Sequence, residues 1–297
     1  MIRNSRRRRR LYQQVPLWFG IPALAIFLFV IIIPSIQGIA LSFTDWNGIT
    51  DDFAFVGLKN FIRIFNDPRA TGALQNTLVL AVTVTVVQNV LGLLLALGVN
   101  GKVRSRHFLR IIFFTPVVLT PLVAGYIWGY LLSPRGTVNQ ALEALGFGFL
   151  KQTWLGDPRF ALASICVAII WQFAGYSMVI YLAGLQAIPA EVTEAALLDG
   201  AGPVRRLVSV TLPLINGAVV ITLLLTLIGS LSQFDQVMAM TGGGPGNATQ
   251  TISTSIYRIG FAAGDYPYGI ALAVVMTIFV AAAAALQYRL TLRKVEY

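Results

Sequence analysis

The run EAALLDGAG, residues 194–202, is polar and acidic in a chain that is otherwise apolar. On either side of it lie two long stretches, 160–190 and 207–234, without a single Asp, Glu, Lys or Arg. The same holds for 15–42, 70–101, 111–134 and 266–288. A helix needs about 20 apolar residues to cross a hydrocarbon core, and each of these stretches is long enough. Segment 236–257 is also charge-free, but it contains MTGGGPGNATQTISTS and reads as a turn-rich loop. Overall, 56% of the 297 residues are hydrophobic and 11% are charged, where a soluble domain carries about 25% charged residues. The expectation is an all-α membrane protein of six spans, at about 15–42, 70–101, 108–134, 160–187, 207–235 and 266–288. They form one transmembrane domain over 15–290, with a basic cytoplasmic tail at 1–14 and a short cytoplasmic tail at 291–297.

The net charge of +10 is distributed in a way that sets the orientation. Arg3 and Arg6 to Arg10 precede the first span, and Lys102, Arg104, Arg106 and Arg110 follow the second. Arg205 and Arg206 follow the fourth, and Arg289, Arg293 and Lys294 the sixth. These segments hold 15 of the 22 basic residues against four acids, while the alternate loops hold seven against eight. Excess Lys and Arg marks the cytoplasmic side. Both termini and the loops at 101–110 and 186–211 are therefore expected inside, in contact with lipid headgroups. The excess basic charge then reflects topology and not a nucleic-acid partner. A cleaved signal has an apolar region of about 7–15 residues, so the first span reads as an uncleaved anchor.

With that address, the opening stretch reads as a short helix displayed to the cytosol. Pro189 suits a first helical turn, residues 190–199 are mostly good helix formers, and Gly200 fits a C-terminal cap with positive φ. Pro203 restarts a helix carrying Arg205 and Arg206, and Pro213 marks entry to the fifth span. Glu191 and Glu194 share a flank with Ala195, and Ala196, Leu197 and Ala201 offer a small apolar surface. Helices that lie on membranes favour basic polar faces. This one is acidic and suits a protein cleft with basic residues.

Catalytic chemistry is not legible. His107, the only histidine, sits among Arg104, Arg106 and Arg110, and Cys166, the only cysteine, lies mid-span without ligand neighbours. No G-x-x-x-x-G-K-[ST] loop is present: Asn100-Gly101-Lys102 is too short, and Gly242 to Gly246 lacks the Lys-Ser/Thr. The spans carry no ionisable groups apart from Asp235 at the outer end of the fifth, whereas ion-coupled carriers place such groups within the bilayer. They carry neutral polar groups instead, Gln88 and Asn89 in the second span and Gln172, Tyr176 and Ser177 in the fourth. Gln172 and Tyr176 share a helix face, as do Thr226 and Ser230. With Gln233 and Asp235 these four are the expected substrate pathway. The bland alternative is that they are hydrogen bonds between helices, each typically worth about 0.6 kcal/mol.

Residues 194–213 resemble the EAA motif of ABC importer permeases: Glu-Ala-Ala, three residues, Gly200, nine residues, then Val210-Thr211-Leu212-Pro213. Val210 stands where that pattern has isoleucine. Thr241-Gly242-Gly243-Gly244-Pro245 and Phe55-Val56-Gly57-Leu58-Lys59-Asn60-Phe61 resemble the carbohydrate-uptake branch, of the maltose and glycerol-3-phosphate type. The resemblance implies a type I importer permease in a bacterial cytoplasmic membrane, moving a sugar or oligosaccharide. It implies a heterodimer with a second permease, two copies of a cytoplasmic ATPase that bind ATP and Mg, and an extracellular or periplasmic solute-binding protein. No cofactor or metal is expected in this chain itself. The coupling residues it implies are Glu191, Glu194, Ala195, Ala196, Asp199, Gly200 and Ala201. A stand-alone secondary carrier or channel for a neutral polar solute is the alternative reading.

Overall fold

Asp-Pro-Arg occurs twice, at 67–69 and 157–159, and each copy starts one of the two longest helices. In both, the aspartate side chain accepts from the arginine backbone N–H at 2.9 Å, and the proline occupies the first turn. That position has no intrahelical acceptor for an N–H, so proline is tolerated there and the acid caps a free donor. The Arg159 side chain also bonds Asp157, and that bond, followed by the backbone one, holds the Asp157 carboxyl below the usual carboxylate range.

A computed structural model describes residues 17–50, 52–101 and 104–292. The basic tail expected at 1–14, Lys102, and Arg293, Lys294 and Glu296 of the C-terminal tail lie outside the described residues. The described chain is helical and holds no strand, only an isolated antiparallel bridge between Thr44 and Phe55. Helix α1 covers Trp18–Leu41, the short α2 Lys59–Asn66, and α3 Pro68–Asn100. Then come α4, Arg106–Phe114, continued by a 3₁₀ turn to Val118, and α5, Pro121–Leu131. Next are α6, Thr137–Ala144, α7, Pro158–Gln186, and α8, Ala190–Leu198. The chain continues with α9, Pro203–Leu214, α10, Asn216–Leu231, and α11, Asp235–Met240. It ends with α12, Ile252–Ile256, which runs into a π turn, and α13, Tyr266–Leu292.

Four helices, α1, α3, α7 and α13, are long and apolar enough to cross a membrane, or six if each of two bent pairs counts as one span. The bends are 98° between α4 and α5 and 77° between α9 and α10. Proline sets both. Pro116 and Pro121 lie at helix starts, and Leu119 and Thr120 between them are extended, as residues before proline prefer. Pro213 sits in the last turn of α9, and the backbone turns at Ile215, whose ψ is 13° while its N–H still donates to the Thr211 carbonyl at 3.0 Å. Segment 236–265, read from sequence as an outer loop, holds α11 and α12. A reciprocal capping box between Thr251 and Thr254 starts α12.

The most extensive interface is α3 against α7. Lipid offers little hydrophobic drive between helices, so close backbone approach and interhelical hydrogen bonds hold them. Gly92 faces Ser177, where a Cβ would stand 2.5 Å from the serine Cβ. Beside it Gln88 donates to Ser177 Oγ at 2.9 Å, and the Tyr181 hydroxyl donates to Asn89 Oδ1 at 2.7 Å. On another side of α7, Gly175 lies against the backbone of α4, and a Cβ there would be 1.9 Å from the Phe113 carbonyl oxygen.

Gly175→Ala is therefore expected to force α4 and α7 apart, overpacking that costs about 1–3 kcal/mol. It should lower the thermal unfolding midpoint of the detergent-solubilised protein. Gly98→Ala, where nothing lies within 4 Å, should not, and equal midpoints for the two variants would contradict the close crossing.

Candidate functional site

The bend in the third span leaves the Leu119 carbonyl without a helical partner, because Val123 N–H donates to the Thr120 hydroxyl instead. In an apolar interior such a group needs a donor, and Gln172 of α7 supplies it, Nε2 to oxygen at 2.8 Å. A carbonyl can only accept, so this bond fixes which way the Gln172 amide points. Its Oε1 then accepts from Gln236 Nε2 at 2.8 Å, and Gln236 Oε1 accepts from Gln233 Nε2. Three amides thus run head to tail from the bend, across α7 and the first turn of α11, to Gln233. The Oε1 of Gln233 is left at the end of the chain.

Gln233 lines a partly open cavity of about 350 Å³ bordered by α3, the 3₁₀ turn after α4, α7 and α10. Its wall is Gln88, Val117, Ile169, Phe173, Tyr176, Leu225, Thr226, Gly229, Ser230 and Gln233. Thr226 and Ser230 donate their hydroxyl protons to the carbonyls of Thr222 and Thr226 at 2.7 and 2.6 Å. Gln88 donates its amide to Ser177 and to the Phe173 carbonyl. Apart from the Tyr176 hydroxyl and the second N–H of Gln233, which can still donate, oxygens are what these side chains have left for a guest. Phe173 and Tyr176 add aromatic surface, and no charged side chain lines the cavity among the described residues.

Of the residues expected along the pathway, Tyr176, Thr226, Ser230 and Gln233 meet at this cavity. Gln172 does not line it; its side chain is fully buried, 0% exposed, and its amide is bonded at both ends. Asp235 is exposed at the first turn of α11, away from the wall. Sequence reasoning left out two members of the arrangement. Gln88 is a polar residue of the second span that was not assigned to the pathway, and Gln236 lies in a segment read as loop.

The second feature is the turn between α7 and α9. Helix α8 ends in a Schellman arrangement: the Gly200 N–H donates to the Leu197 carbonyl at 3.1 Å, and the Ala201 N–H to the Ala196 carbonyl at 3.0 Å. Gly200 has φ of +73°, the left-handed conformation expected of it. Glu191, Glu194, Ala195, Asp199 and Gly200 are exposed and Ala201 partly so, but Ala196 turns inward. The outward apolar surface comes from Leu197, Leu198 at 90% exposed and, across the turn, Val204 at 75%. The turn thus presents an exposed apolar knuckle with an acidic flank.

Comparison with known proteins identifies the family. The family described as binding-protein-dependent transport system inner membrane component matches residues 88–296. A probable starch degradation products transport system permease, AmyD of Thermoanaerobacterium thermosulfurigenes, is 36% identical over 94% of this chain and 95% of its own. The diacetylchitobiose uptake permease NgcF of Streptomyces coelicolor is 35% identical over 97% of this chain and 86% of its own. A bacterial alginate ABC transporter, crystallised with a periplasmic protein bound to an alginate pentasaccharide, superposes with a TM-score of 0.81. There the identity is 22%, and 94% of each chain is covered. The chain belongs to the family of binding-protein-dependent transport system inner membrane components and is a multi-pass permease subunit of an ABC importer, not an enzyme in its own right.

Proposed function

We propose that this permease carries a neutral sugar or oligosaccharide through the cavity at Gln88, Tyr176, Thr226, Ser230 and Gln233. The observation that carries the reading is the wall's hydrogen-bond polarity. Hydroxyl-rich guests bring the donors that the free oxygens of Gln88, Thr226, Ser230 and Gln233 lack, and aromatic faces suit the apolar face of a pyranose. A phosphate or carboxylate would meet no cation in this wall. The sugar-transport names of AmyD and NgcF support the same class.

The cavity stands near mid-span, and the rest of the cycle falls to partners. A second permease subunit forms a heterodimer with this one in a bacterial cytoplasmic membrane. A solute-binding protein delivers the sugar on the outer side, and two copies of a cytoplasmic ATPase hold ATP and Mg. The 190–202 turn docks in the ATPase with Glu191, Glu194, Asp199, Leu197 and Leu198 outward. A partner shifts a two-state equilibrium only through its different affinity for the two states, so the turn must be stiff enough to hand motion on. Its Schellman bonds supply that stiffness, and both termini lie on the same cytoplasmic side.

Two outcomes are expected. Gly200→Val puts a β-branched residue at positive φ, strain of about 1–3 kcal/mol, and should reduce sugar uptake by about tenfold or more at wild-type membrane abundance. Wild-type uptake would refute the coupling assignment. Ser230→Ala and Gln233→Leu each remove one hydrogen bond to the guest, worth about 0.5–1.5 kcal/mol, besides the internal bond to the Thr226 carbonyl or to Gln236, and should raise the apparent KM for uptake several-fold while leaving the ATPase assembled. An unchanged KM in both would move the pathway elsewhere.

A further inference from the structure

The segment between α5 and α7, residues 132–157, is tied at a definable depth. Helix α7 has 29 residues, about 43 Å at 1.5 Å per residue, so when centred on a hydrocarbon core of about 30 Å it extends roughly 6–7 Å beyond each face. Ser164 lies about 9 Å along the helix from Pro158, and its hydroxyl donates to the Trp154 carbonyl at 3.3 Å. Trp154 is therefore held level with the edge of the core, where tryptophan concentrates. Trp154 also packs, with Leu155, on the cluster that joins α3 to α7. Asn139 of α6 fixes the rest to this level. Its Nδ2 donates to the Gln152 carbonyl at 2.9 Å, and its Oδ1 accepts from Trp154 Nε1 at 2.9 Å.

Helix α6 and residues 152–154 thus share one level, and the tip between them is apolar and uncovered. Leu145 is 71% and Phe149 78% exposed, with Phe147 and Leu150 about half exposed. Scattered apolar side chains on a surface are ordinary, but four large ones in one short turn mark a contact. Lys151 follows the tip three residues before Trp154, so that end stays within roughly 10 Å of it at about 3.3 Å per residue, and Leu145 at the other end lies six residues, about 9 Å of helix, from Asn139. Around the tip, Glu143 and Asp157 are held in ion pairs by Lys151 and Arg159, and Arg135 makes no ion pair among the described residues. The local excess of positive charge suits anionic headgroups.

We propose that residues 145–150 are an interfacial anchor, seated at the boundary of headgroups and acyl chains, with phospholipid as the occupant. That the leaflet is the outer one rests on the orientation proposed above; the depth does not. Gly136 lies against the last carbonyls of α5, where a Cβ would be 2.4 Å from the Leu131 oxygen. The anchor therefore fixes the outer end of the bent third span relative to the bilayer.

The test uses the assembled transporter in vesicles of phosphatidylethanolamine and phosphatidylglycerol, with buried Cys166 replaced by alanine. Nitroxide labels on Phe149→Cys and, separately, Leu145→Cys report collisions with oxygen and with a water-soluble nickel chelate. Both labels should favour oxygen and sit about 5–10 Å below the headgroup surface. Free access of the chelate to both labels overturns the anchor. So does protection from both reagents, or protection that appears only when the solute-binding protein is added, because the tip would then be a protein-docking surface. Chelate confined to the cytoplasmic side, reaching the labels' surroundings, would refute the orientation and leave the anchor standing.

Discussion

Everything at the centre of this subunit depends on the bond between Gln172 and the carbonyl of Leu119. A helix that bends by 98° within an apolar bundle uncovers a backbone acceptor, which in such surroundings needs a protein donor. The side chain that meets it belongs to another span, so the bend and α7 become one unit. Because the carbonyl can only accept, its bond orients three successive amides and leaves an oxygen at the cavity end. The shape of the third span and the polarity of the cavity wall therefore share one cause.

Close packing makes that bond possible. Gly175 brings the α7 backbone onto α4 one helical turn from Gln172, and Gly92 does the same between α3 and α7. The polar contacts along the α3–α7 seam are short and internal, Gln88 to Ser177 and Tyr181 to Asn89. Hence α3 and α7 act as a stiff pair against which the bent spans rest. The cavity forms where α10 approaches that pair, and the 190–202 turn follows directly from α7 through Gln186 and Pro189. A push on α8 thus meets a helix already fixed to two neighbours.

Much of this was legible in the sequence, for physical reasons. Missing charges locate apolar segments, since an unpaired charge in lipid is costly, and the Asp-Gly pair at 199–200 announces the left-handed turn. Tyr176, Thr226, Ser230 and Gln233 stood out as polar groups in apolar helices, and they do meet. Gln172 misled because residues four apart lie about 40° apart around a helix. That angle is enough to put Tyr176, 40% exposed, at the wall and Gln172 wholly behind it. The sequence places Asp235 at the end of the fifth span, but Ser232 ends that helix and a separate helix, α11, begins at Asp235. Gln236 was hidden for the same reason. The bends themselves had a signal in Thr115-Pro116, Thr120-Pro121 and Leu212-Pro213, where each proline starts a turn instead of interrupting a straight rod.

The central claim is that work done by a separate ATPase enters through the acidic turn on the cytoplasmic side. The most direct measurement is the reaction of Asp199→Cys with a membrane-impermeant maleimide in intact cells and in inverted membrane vesicles. Modification in inverted vesicles alone, blocked when the ATPase is assembled, is the predicted result. Modification in intact cells would place the turn outside and contradict the account.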